Sequence, residues 1–347
     1  MQSFEYFCRI PTESEKYISR CITLAKKGLG QVSPNPLVGC VIVHNGRIIS
    51  ESYHKIYGGP HAEVNAINAL DDHEILKDCT VYVNLEPCAH YGKTPPCAQL
   101  LIEKQVKKVV IGMQDPFPEV AGKGIQMLKQ AGIEVEVGVL EKNCLEINKR
   151  FLCNLNHQRP YIILKWAESA DGYIGQSKPI QISGEKARQI VHEWRTQEDA
   201  FLVGTNTLLI DNPQLNVRFA KGRNPIRIAL DFHLKSEDKQ LHFKDNSQRS
   251  LILNGIKNEI SGQLEYHLIN NTQVSTILKK LWELKIGSVV VEGGAAILNS
   301  FIQSGLYDEI KIFKSKQLQL NNGVKAPFIE TDPKSELDLG DDILISY

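Results

Sequence analysis

A chain of 347 residues is longer than one ordinary domain, so two domains are expected. Forty basic residues balance forty acidic ones and 42% of the residues are hydrophobic, which is the composition of a soluble globular protein without affinity for nucleic acid or a membrane surface. No apolar run approaches the roughly 18 residues that a membrane-spanning helix requires.

The N-terminal segment, residues 1–17, has neither the basic start nor the apolar core of a secretory signal peptide. The eight cysteines belong to a chain long enough to build a core without a disulfide framework. The sequence therefore predicts a cytoplasmic protein with reduced thiols. It leaves the oligomeric state open, with a homo-oligomer among the alternatives.

Helices and strands alternate through the first half of the chain. Thr12 and Glu15 have the spacing of a capping box, which predicts a helix that runs to about Gly28. Asn45-Gly46 predicts a hairpin turn between two β-rich segments. Strands are predicted over Leu37–Val43, Arg47–Tyr53, Cys79–Leu85, Lys107–Gly112 and Ile133–Val137, and helices over His61–Leu70, Thr94–Lys104, Gly124–Gly132 and Glu141–Leu155. This alternation indicates a layered α/β domain.

A polar segment that ends in proline, residues 156–160, is predicted to link this domain to a second one. The predicted domains are therefore residues 1–156 and 160–347. In the second, strands are predicted over Tyr161–Ala167, Ala200–Val203, Pro225–Leu230, Ser250–Leu253 and Gly287–Glu292, and helices over Gly184–Thr196, 274–285 and 295–303. The charged segment 233–248 has no clear pattern and is predicted to be a loop.

His61, Cys88 and Cys97 are candidate ligands of a catalytic zinc ion. Zinc accepts imidazole nitrogen and thiolate sulfur, and a catalytic site keeps its fourth position for water. Glu63 lies two residues after His61, so it is expected near the metal without binding it. There it can take a proton from the water and pass it to a leaving amine. Three such ligands with a non-ligating glutamate are typical of zinc-dependent hydrolytic deaminases.

Two other interpretations of this cluster remain open from the residues alone. A zinc-stabilised binding module would need a fourth ligand, for which His90 is a candidate, but it has no use for a free carboxylate at Glu63. A tRNA adenosine deaminase would need a basic surface, which the balanced charge argues against, and it leaves residues 160–347 unexplained. The cysteines outside the cluster are expected to be core residues: Cys8, Cys21, Cys40, Cys79, Cys144 and Cys153.

Eight residues separate the two candidate cysteine ligands, where the general deaminase signature has two. Because this insert is anchored at both ends, its His90 and Lys93 are expected close to the pocket. A lysine there suits a phosphate or a polar ring substituent.

The sequence resembles the bifunctional deaminase and reductase family of riboflavin biosynthesis along nearly its whole length. In the first half the matching stretches are Ser33-Pro-Asn-Pro-Leu-Val-Gly39, His54, Pro60-His-Ala-Glu-Val64, Glu86-Pro-Cys-Ala-His-Tyr-Gly-Lys-Thr-Pro-Pro-Cys97, Asp115-Pro-Phe-Pro and Val120-Ala-Gly-Lys-Gly124. In the second half they are Leu164-Lys165, Asp171-Gly172, Gly204-Thr-Asn-Thr207, Asp211-Asn-Pro213 and Val291-Glu-Gly-Gly294.

The resemblance implies a fold and two reactions. The fold is α/β, with an N-terminal cytidine-deaminase-like three-layer domain followed by a dihydrofolate-reductase-like α/β domain. The first domain would use Zn²⁺ to hydrolyse the 2-amino group of 2,5-diamino-6-(5-phosphoribosylamino)pyrimidin-4-one. The second would use NADPH to reduce the ribosyl group of the product to ribityl. The partners would be phosphorylated pyrimidine small molecules, and a deaminase with an inactive second domain is the alternative.

The resemblance also implies roles for individual residues. Contacts to the deaminase substrate are implied for Asn35, His54, His90 and Lys93. Contacts to the reductase substrate are implied for Lys165, Arg195, Leu215, Arg218 and Glu292. Cofactor contacts are implied for Glu168, Thr207, Asp211, Gly294, Ala295 and Ala296.

The residues of the second half are less specific by themselves. Gly293-Gly294 follows an apolar strand and precedes a helix, which suits a phosphate near backbone N–H groups and equally suits a simple tight turn. The dinucleotide-binding pattern G-x-G-x-x-G is absent here, so a standard Rossmann domain is disfavoured. Glu168, Pro179 and Gln181 depart from residues frequent in the family, and they predict weaker NADPH binding with activity retained.

Overall fold

A computed structural model of the chain describes residues 10–90, 95–117 and 121–347. The chain divides into two compact units, with the division between Leu155 and Asn156. The predicted domain bounds stay a prediction, and the predicted link begins inside a helix that ends at His157. No helix in the described part of the chain is long and apolar enough to cross a membrane.

The first unit is built on one mixed sheet. Its strands are β1 (Gly39–His44), β2 (Arg47–Tyr53), β3 (Thr80–Leu85), β4 (Lys108–Met113) and β5 (Glu134–Val137), in the order β2-β1-β3-β4-β5. Strand β1 is antiparallel to both its neighbours, whereas β3, β4 and β5 run parallel. The helices are α1 (Glu13–Ala25), α2 (Ala62–Ile67), α3 (Cys97–Glu103), α4 (Lys123–Gln130), α5 (Glu141–Ile147) and α6 (Lys149–His157), the last of which crosses the division between the units.

Helices cover both faces of this sheet, because successive strand side chains point to opposite sides. On one face Ile42, Val83 and Ile111 pack in a cluster with α2, α3 and α4. On the other face Val41 and Val110 pack in a cluster with α1 and α5. The predicted layered α/β domain is therefore confirmed as a three-layer structure.

The capping box and the hairpin are confirmed. Thr12 accepts from the backbone N–H of Glu15, and the Glu15 carboxylate accepts from that of Thr12. Asn45 and Gly46 both have positive φ, as the tight turn between β1 and β2 requires.

The predicted single helix over Glu141–Leu155 is wrong, because it breaks at Asn148 into α5 and α6. The buried Asn148 side chain accepts from the backbone N–H of Leu37 and donates to its carbonyl oxygen. A side chain that hydrogen-bonds to distant backbone competes with helix continuation.

The second unit contains a ten-stranded sheet in the order β11-β12-β10-β9-β8-β13-β6-β14-β17-β16. Its strands are β6 (Tyr161–Glu168), β8 (Ala200–Gly204), β9 (Ile226–Leu230), β10 (Ser250–Asn254), β11 (Glu259–Ser261), β12 (Leu264–Leu268), β13 (Ser288–Val291), β14 (Glu309–Ser315), β16 (Ser335–Asp338) and β17 (Asp342–Ser346). The strands from β12 to β14 in this order run parallel, and antiparallel strands flank them at both edges. Strands β7 (Tyr173–Gly175) and β15 (Val324–Lys325) form a separate two-stranded ribbon.

Helices lie on both faces of the ten-stranded sheet. They are α7 (Glu185–Gln197), α8 (Thr205–Asp211), α9 (Val274–Glu283) and α10 (Ala295–Ser304). Residues of α9 and α10 pack on one face in a cluster with Leu164 and Trp166 of β6. Helix α7 covers the other face, where Trp194 contacts the ring of Phe313 on β14 at a centroid distance of 5.5 Å. Because Lys165 lies between Leu164 and Trp166, its side chain projects to the α7 face.

Every element predicted for the second domain is present, and the segment 233–248 is irregular except for the short turn His242–Lys244. The sequence predictions omitted helix α8 and strands β7, β11, β12 and β14 to β17.

Candidate active sites

The predicted zinc ligands meet at the ends of three elements of the first unit. His61 is the N-cap of α2, Cys88 lies in the loop after β3, and Cys97 is the first residue of α3. One ligand atom from each lies within 4.8 Å of the other two. Among the described residues this cluster does not include His90, which is exposed. A fourth protein ligand, as a structural zinc site would need, is therefore not supported.

The distances within the cluster fit a zinc ion. His61 Nδ1 lies 3.3 Å from Cys97 Sγ and 3.6 Å from Cys88 Sγ. A tetrahedral ion with bonds of roughly 2.0–2.1 Å to nitrogen and 2.3 Å to sulfur places such atoms about 3.6 Å apart. The Cys97 thiol and backbone N–H, together with His61, lower the pKa of Cys88 to about 4. Cys88 therefore favours the thiolate form that zinc binds, whereas the hydrogen bond with Cys88, and then burial, raise the pKa of Cys97.

Glu63 lies on the first turn of α2, and its side chain is 3% exposed. Burial, and then the neighbouring Cys88, raise the pKa of Glu63 to about 7. A carboxyl group with a pKa near 7 can both accept and donate a proton at neutral pH. The predicted role of Glu63, which takes a proton from water and passes it to a leaving amine, requires this property.

Two of the predicted contacts to the deaminase substrate lie beside the metal ligands. The rings of His54 and His61 have centroids 5.6 Å apart. His54 Nε2 lies 3.1 Å from Asn35 Nδ2, and His54 Nδ1 lies 3.0 Å from the carbonyl oxygen of Pro60. Burial lowers the pKa of His54, so its ring is neutral at pH 7. The predicted contact Lys93 lies outside the described residues.

Sequence reasoning missed two buried polar residues that hold the loops around this site. Glu86 is 3% exposed, and its carboxylate accepts from the backbone N–H groups of Asp115, Gly122 and Ile125. Asn84 is fully buried in β3 and accepts from the backbone N–H of Gly39. Both residues could have been predicted from one feature of the sequence, a polar side chain in or directly after an otherwise apolar strand.

The second unit contains a cavity of about 880 Å³ at the carboxyl ends of β8 and β13, lined by residues of α7 and also of α9 and α10. Most of the reductase residues predicted from the sequence line it: Lys165, Arg195, Thr207, Asp211, Leu215, Glu292, Gly294, Ala295 and Ala296. Ligand sites of parallel α/β sheets lie at this edge.

A buried carboxylate joins two cations in the wall of the cavity. Strand β13 pairs with β6 so that Val291 lies opposite Leu164, and the next residues, Glu292 and Lys165, are therefore adjacent. Glu292 Oε1 lies 3.1 Å from Lys165 Nζ, and Glu292 Oε2 lies 3.4 Å from Arg195 Nη2. Burial alone would raise the pKa of Glu292, but the two cations lower it. The carboxylate is ionised at neutral pH and holds both cations in place.

Two strand-to-helix turns form another part of the wall. Gly204 is the N-cap of α8, and Gly294 is the N-cap of α10. A Cβ atom at Gly293 would lie 2.1 Å from Ile297 Cγ2, so this turn requires glycine. These turns expose backbone N–H groups at helix starts, where phosphate groups bind. The cavity therefore fits the phosphate groups of a dinucleotide cofactor.

Two predicted reductase residues do not line the cavity. Glu168 accepts from Trp166 Nε1 at 3.1 Å and lies 3.3 Å from Lys314 Nζ, so its charge is neutralised within the protein. Arg218 is exposed, and its Nη1 donates to Gln214 Oε1 at 2.6 Å. Their assignments to cofactor and substrate stay predictions. Gln181, which departs from the family pattern, does line the cavity.

Comparisons with known proteins cover both units. Residues 11–113 match the family model of the cytidine and deoxycytidylate deaminase zinc-binding region, and residues 160–315 match that of the RibD C-terminal domain. The riboflavin biosynthesis protein RibD of Actinobacillus pleuropneumoniae is 38% identical, with 95% of this chain and 94% of that protein covered. The RibD of Aquifex aeolicus is 36% identical, with 96% and 98% covered.

Two solved structures resemble this chain over nearly its full length. One is a diaminohydroxyphosphoribosylaminopyrimidine deaminase/5-amino-6-(5-phosphoribosylamino)uracil reductase from Thermotoga maritima, with 37% identity and a TM-score of 0.87. The other is a RibD from Acinetobacter baumannii, with 34% identity and a TM-score of 0.83. Each match covers 96% of this chain and 98% of the other.

Proposed function

The chain belongs to the RibD family, and we propose that its two reactions take place at the zinc cluster around His61 and in the cavity beside Glu292. It is a bifunctional enzyme of riboflavin biosynthesis that combines a zinc-dependent deaminase with an NADPH-dependent reductase. The name of the Thermotoga relative supplies the substrates that we assign to this chain. They are the diaminopyrimidine phosphoribosylamine for the first site and its deaminated product for the second.

In the deaminase site, Glu63 carries the protons. His61, Cys88 and Cys97 would hold the zinc ion, which would lower the pKa of a bound water to about 7. Glu63 takes a proton from the attacking water and delivers it to the 2-amino group, which leaves as ammonia. The buried position of Glu63 and its pKa of about 7 support this exchange. Asn35 and His54, fixed by their mutual contact, orient the pyrimidine ring.

In the reductase cavity, Lys165 delivers a proton. NADPH bound in this cavity would supply a hydride to the ribosyl C1′ of the open, imine form, and Lys165 Nζ would give a proton to the adjacent nitrogen. Glu292 holds Lys165 Nζ in place through the 3.1 Å contact. Guanidinium groups bind phosphate through paired hydrogen bonds, so Arg195, which lines the cavity, suits the phosphate of the substrate. The two turns at Gly204 and Gly294 suit the phosphates of NADPH.

The deaminase assignment rests on the ligand geometry of His61, Cys88 and Cys97 beside the buried Glu63. The alternative of a tRNA adenosine deaminase is not favoured, because the RibD C-terminal domain accounts for residues 160–315. Cytoplasmic location stays a prediction, and the oligomeric state stays open.

The assignment is tested by incubating the zinc-loaded protein with the diaminopyrimidine phosphoribosylamine, cytidine or tRNA and measuring ammonia or inosine. We expect ammonia from the phosphoribosylamine alone. The deaminated product, supplied with NADPH, should cause loss of the nicotinamide absorbance. Deamination of tRNA or cytidine in preference to the phosphoribosylamine would contradict the proposal.

A further inference from the structure

The loop of residues 212–219 follows α8 and carries two of the proposed contacts to the reductase substrate, Leu215 and Arg218. It contains no helix or strand. Leu215 lines the cavity with φ at 46°, a left-handed conformation that leucine rarely adopts. Such a conformation persists only where surrounding contacts impose it. The loop therefore depends on side chains that lie elsewhere in the chain.

Several side chains hold the backbone of loop 212–219. Asn224 Oδ1 accepts from the backbone N–H of Val217 at 2.8 Å, and Gln248 Nε2 donates to the carbonyl oxygen of Leu215 at 3.3 Å. Arg195 Nη1 donates to the carbonyl oxygen of Asn216 at 3.0 Å. His192 Nδ1 accepts from the backbone N–H of Arg218 at 2.9 Å.

His192 contacts both Arg195, which we assign to the substrate phosphate, and the backbone of Arg218 in the loop. It lies on the buried face of α7, one turn before Arg195, and is 3% exposed. Its Nε2 lies 3.3 Å from Arg195 Nη1, and its ring meets that of Phe219 edge-on at a centroid distance of 4.8 Å. His192 does not line the cavity, so any effect on the substrate acts through its neighbours.

A neutral imidazole accepts a hydrogen bond at one ring nitrogen only. The 2.9 Å contact assigns that role to Nδ1, which leaves the proton on Nε2. Arg195 Nη1 then donates to Asn216 and packs against the ring without a hydrogen bond to it. Burial and the adjacent Arg195 and Arg218 lower the pKa of His192 to about 4, in agreement with a neutral ring.

We propose that His192 is a positioning residue of the reductase: by accepting from the backbone N–H of Arg218 it holds loop 212–219 so that Leu215 faces a phosphorylated substrate beside Arg195. The proposal rests on the assignment of the cavity to the reductase substrate. Loss of the acceptor leaves the backbone N–H of Arg218 unpaired and removes one of the contacts that hold the loop. Because a hydrogen bond of this kind contributes about one power of ten to an equilibrium, we expect roughly a tenfold effect.

Three substitutions distinguish the role of His192 Nδ1 from that of His192 Nε2. In His192→Asn the side-chain oxygen can occupy the position of Nδ1, whereas in His192→Gln the amide reaches only the position of Nε2. His192→Ala removes both. The measurements are the KM and kcat for the deaminated product, and the Kd of that product and of NADPH by calorimetry.

We expect His192→Ala and His192→Gln to raise the KM and Kd of the deaminated product about tenfold, and His192→Asn to restore both nearly to wild type. NADPH binding and deamination should stay unchanged in all three variants. The effect should vanish with the dephosphorylated product, which a loss of overall stability would not explain.

Four outcomes would overturn the proposal: unchanged product binding in the glutamine variant, rescue by glutamine in place of asparagine, equal losses with and without the phosphate, or weakened NADPH binding. Calorimetry measures binding of the deaminated product without any turnover, so this test does not depend on reductase activity. Wild-type protein that binds the deaminated product without oxidising NADPH would refute the reductase assignment, and the asparagine–glutamine comparison would still decide the role of His192.

Discussion

Glu63 differs from the other polar residues of the zinc cluster because it is buried beside the ligands without being one of them. The substitution Glu63→Gln keeps the shape of the side chain but removes its ability to carry a proton. We expect stoichiometric zinc and a deamination rate that falls by about 10²–10⁴-fold or more, since the group acts at two proton transfers.

Ammonia release and metal analysis check this prediction, with Glu74→Gln as a control at an exposed glutamate outside the cluster. A Glu63→Gln enzyme that turns over normally would remove Glu63 from the chemistry. Loss of zinc in that variant would instead make it a ligand.

At this scale, the sequence was sufficient wherever the residue type itself dictated the chemistry. His61, Cys88 and Cys97 could be predicted as ligands because few other functions need these groups in this order. Glu86 and His192 could not, because their partners are backbone N–H groups brought close only by the fold. For Arg218 and Glu168 the sequence predicted ligand contacts that the cavity wall does not include. Their side chains contact other protein groups instead.

Among the structural elements that line the cavity, the turn from β13 into α10 is sensitive to a single added methyl group. A Cβ at Gly293 would overlap Ile297 Cγ2, whose β-branched side chain has little rotamer freedom in a helix. We expect Gly293→Ala to destabilise the second unit by about 1–3 kcal/mol and to weaken NADPH binding by roughly tenfold.

Urea unfolding and calorimetry with NADPH test this expectation. Gly204→Ala is the matched control for stability, because an added Cβ there meets nothing closer than 3.9 Å. Equal stability of the two variants would show that the β13–α10 turn tolerates a side chain.

The β7–β15 ribbon borders the cavity through Ile174 and Val324, and Asp171 secures it. Hydrogen bonds from the Ser169 hydroxyl and from the backbone N–H groups of Leu320 and Asn321 lower the pKa of Asp171 to about 2. A depressed carboxyl pKa contributes stability that is complete above the unfolded value of about 3.9 and is lost as the pH falls towards 2.

The free energy of unfolding that Asp171→Ala removes from the second unit should therefore be largest at pH 6. It should become progressively smaller between pH 4 and pH 2. Urea unfolding across this range checks the sign, with exposed Asp332→Ala as the control. A destabilisation that stays constant down to pH 2 would show that the ionised carboxylate is not the stabilising form.

The elements that the sequence predicted are those with an apolar pattern of their own, such as β1 to β6 and α9. Short exposed strands such as β11 and β16 carry no such pattern, since they form only by pairing with β12 and β17. The break between α5 and α6 could not be predicted either. It depends on hydrogen bonds from Asn148 to Leu37, which is far away in sequence.

For the whole molecule, composition and element order were enough to indicate two α/β domains, and the motifs indicated which chemistry belongs to each. The ten-stranded sheet was not predictable, because its edges are set by long-range antiparallel pairing. Since the zinc cluster and the cavity belong to different units, a substitution in one should leave the chemistry of the other intact.

The most direct test of this account is a complementation assay with Glu63→Gln and Lys165→Arg. The arginine keeps the positive charge beside Glu292, but its high pKa makes it a poor proton donor. With the diaminopyrimidine phosphoribosylamine and NADPH, we expect Glu63→Gln to produce neither ammonia nor NADP⁺, and Lys165→Arg to produce ammonia only. A mixture of the two variants should produce both, and Glu63→Gln should oxidise NADPH when it is given the deaminated product. NADPH oxidation by Lys165→Arg at the wild-type rate, or ammonia release by Glu63→Gln at the wild-type rate, would contradict the assignment of the two reactions to these two sites.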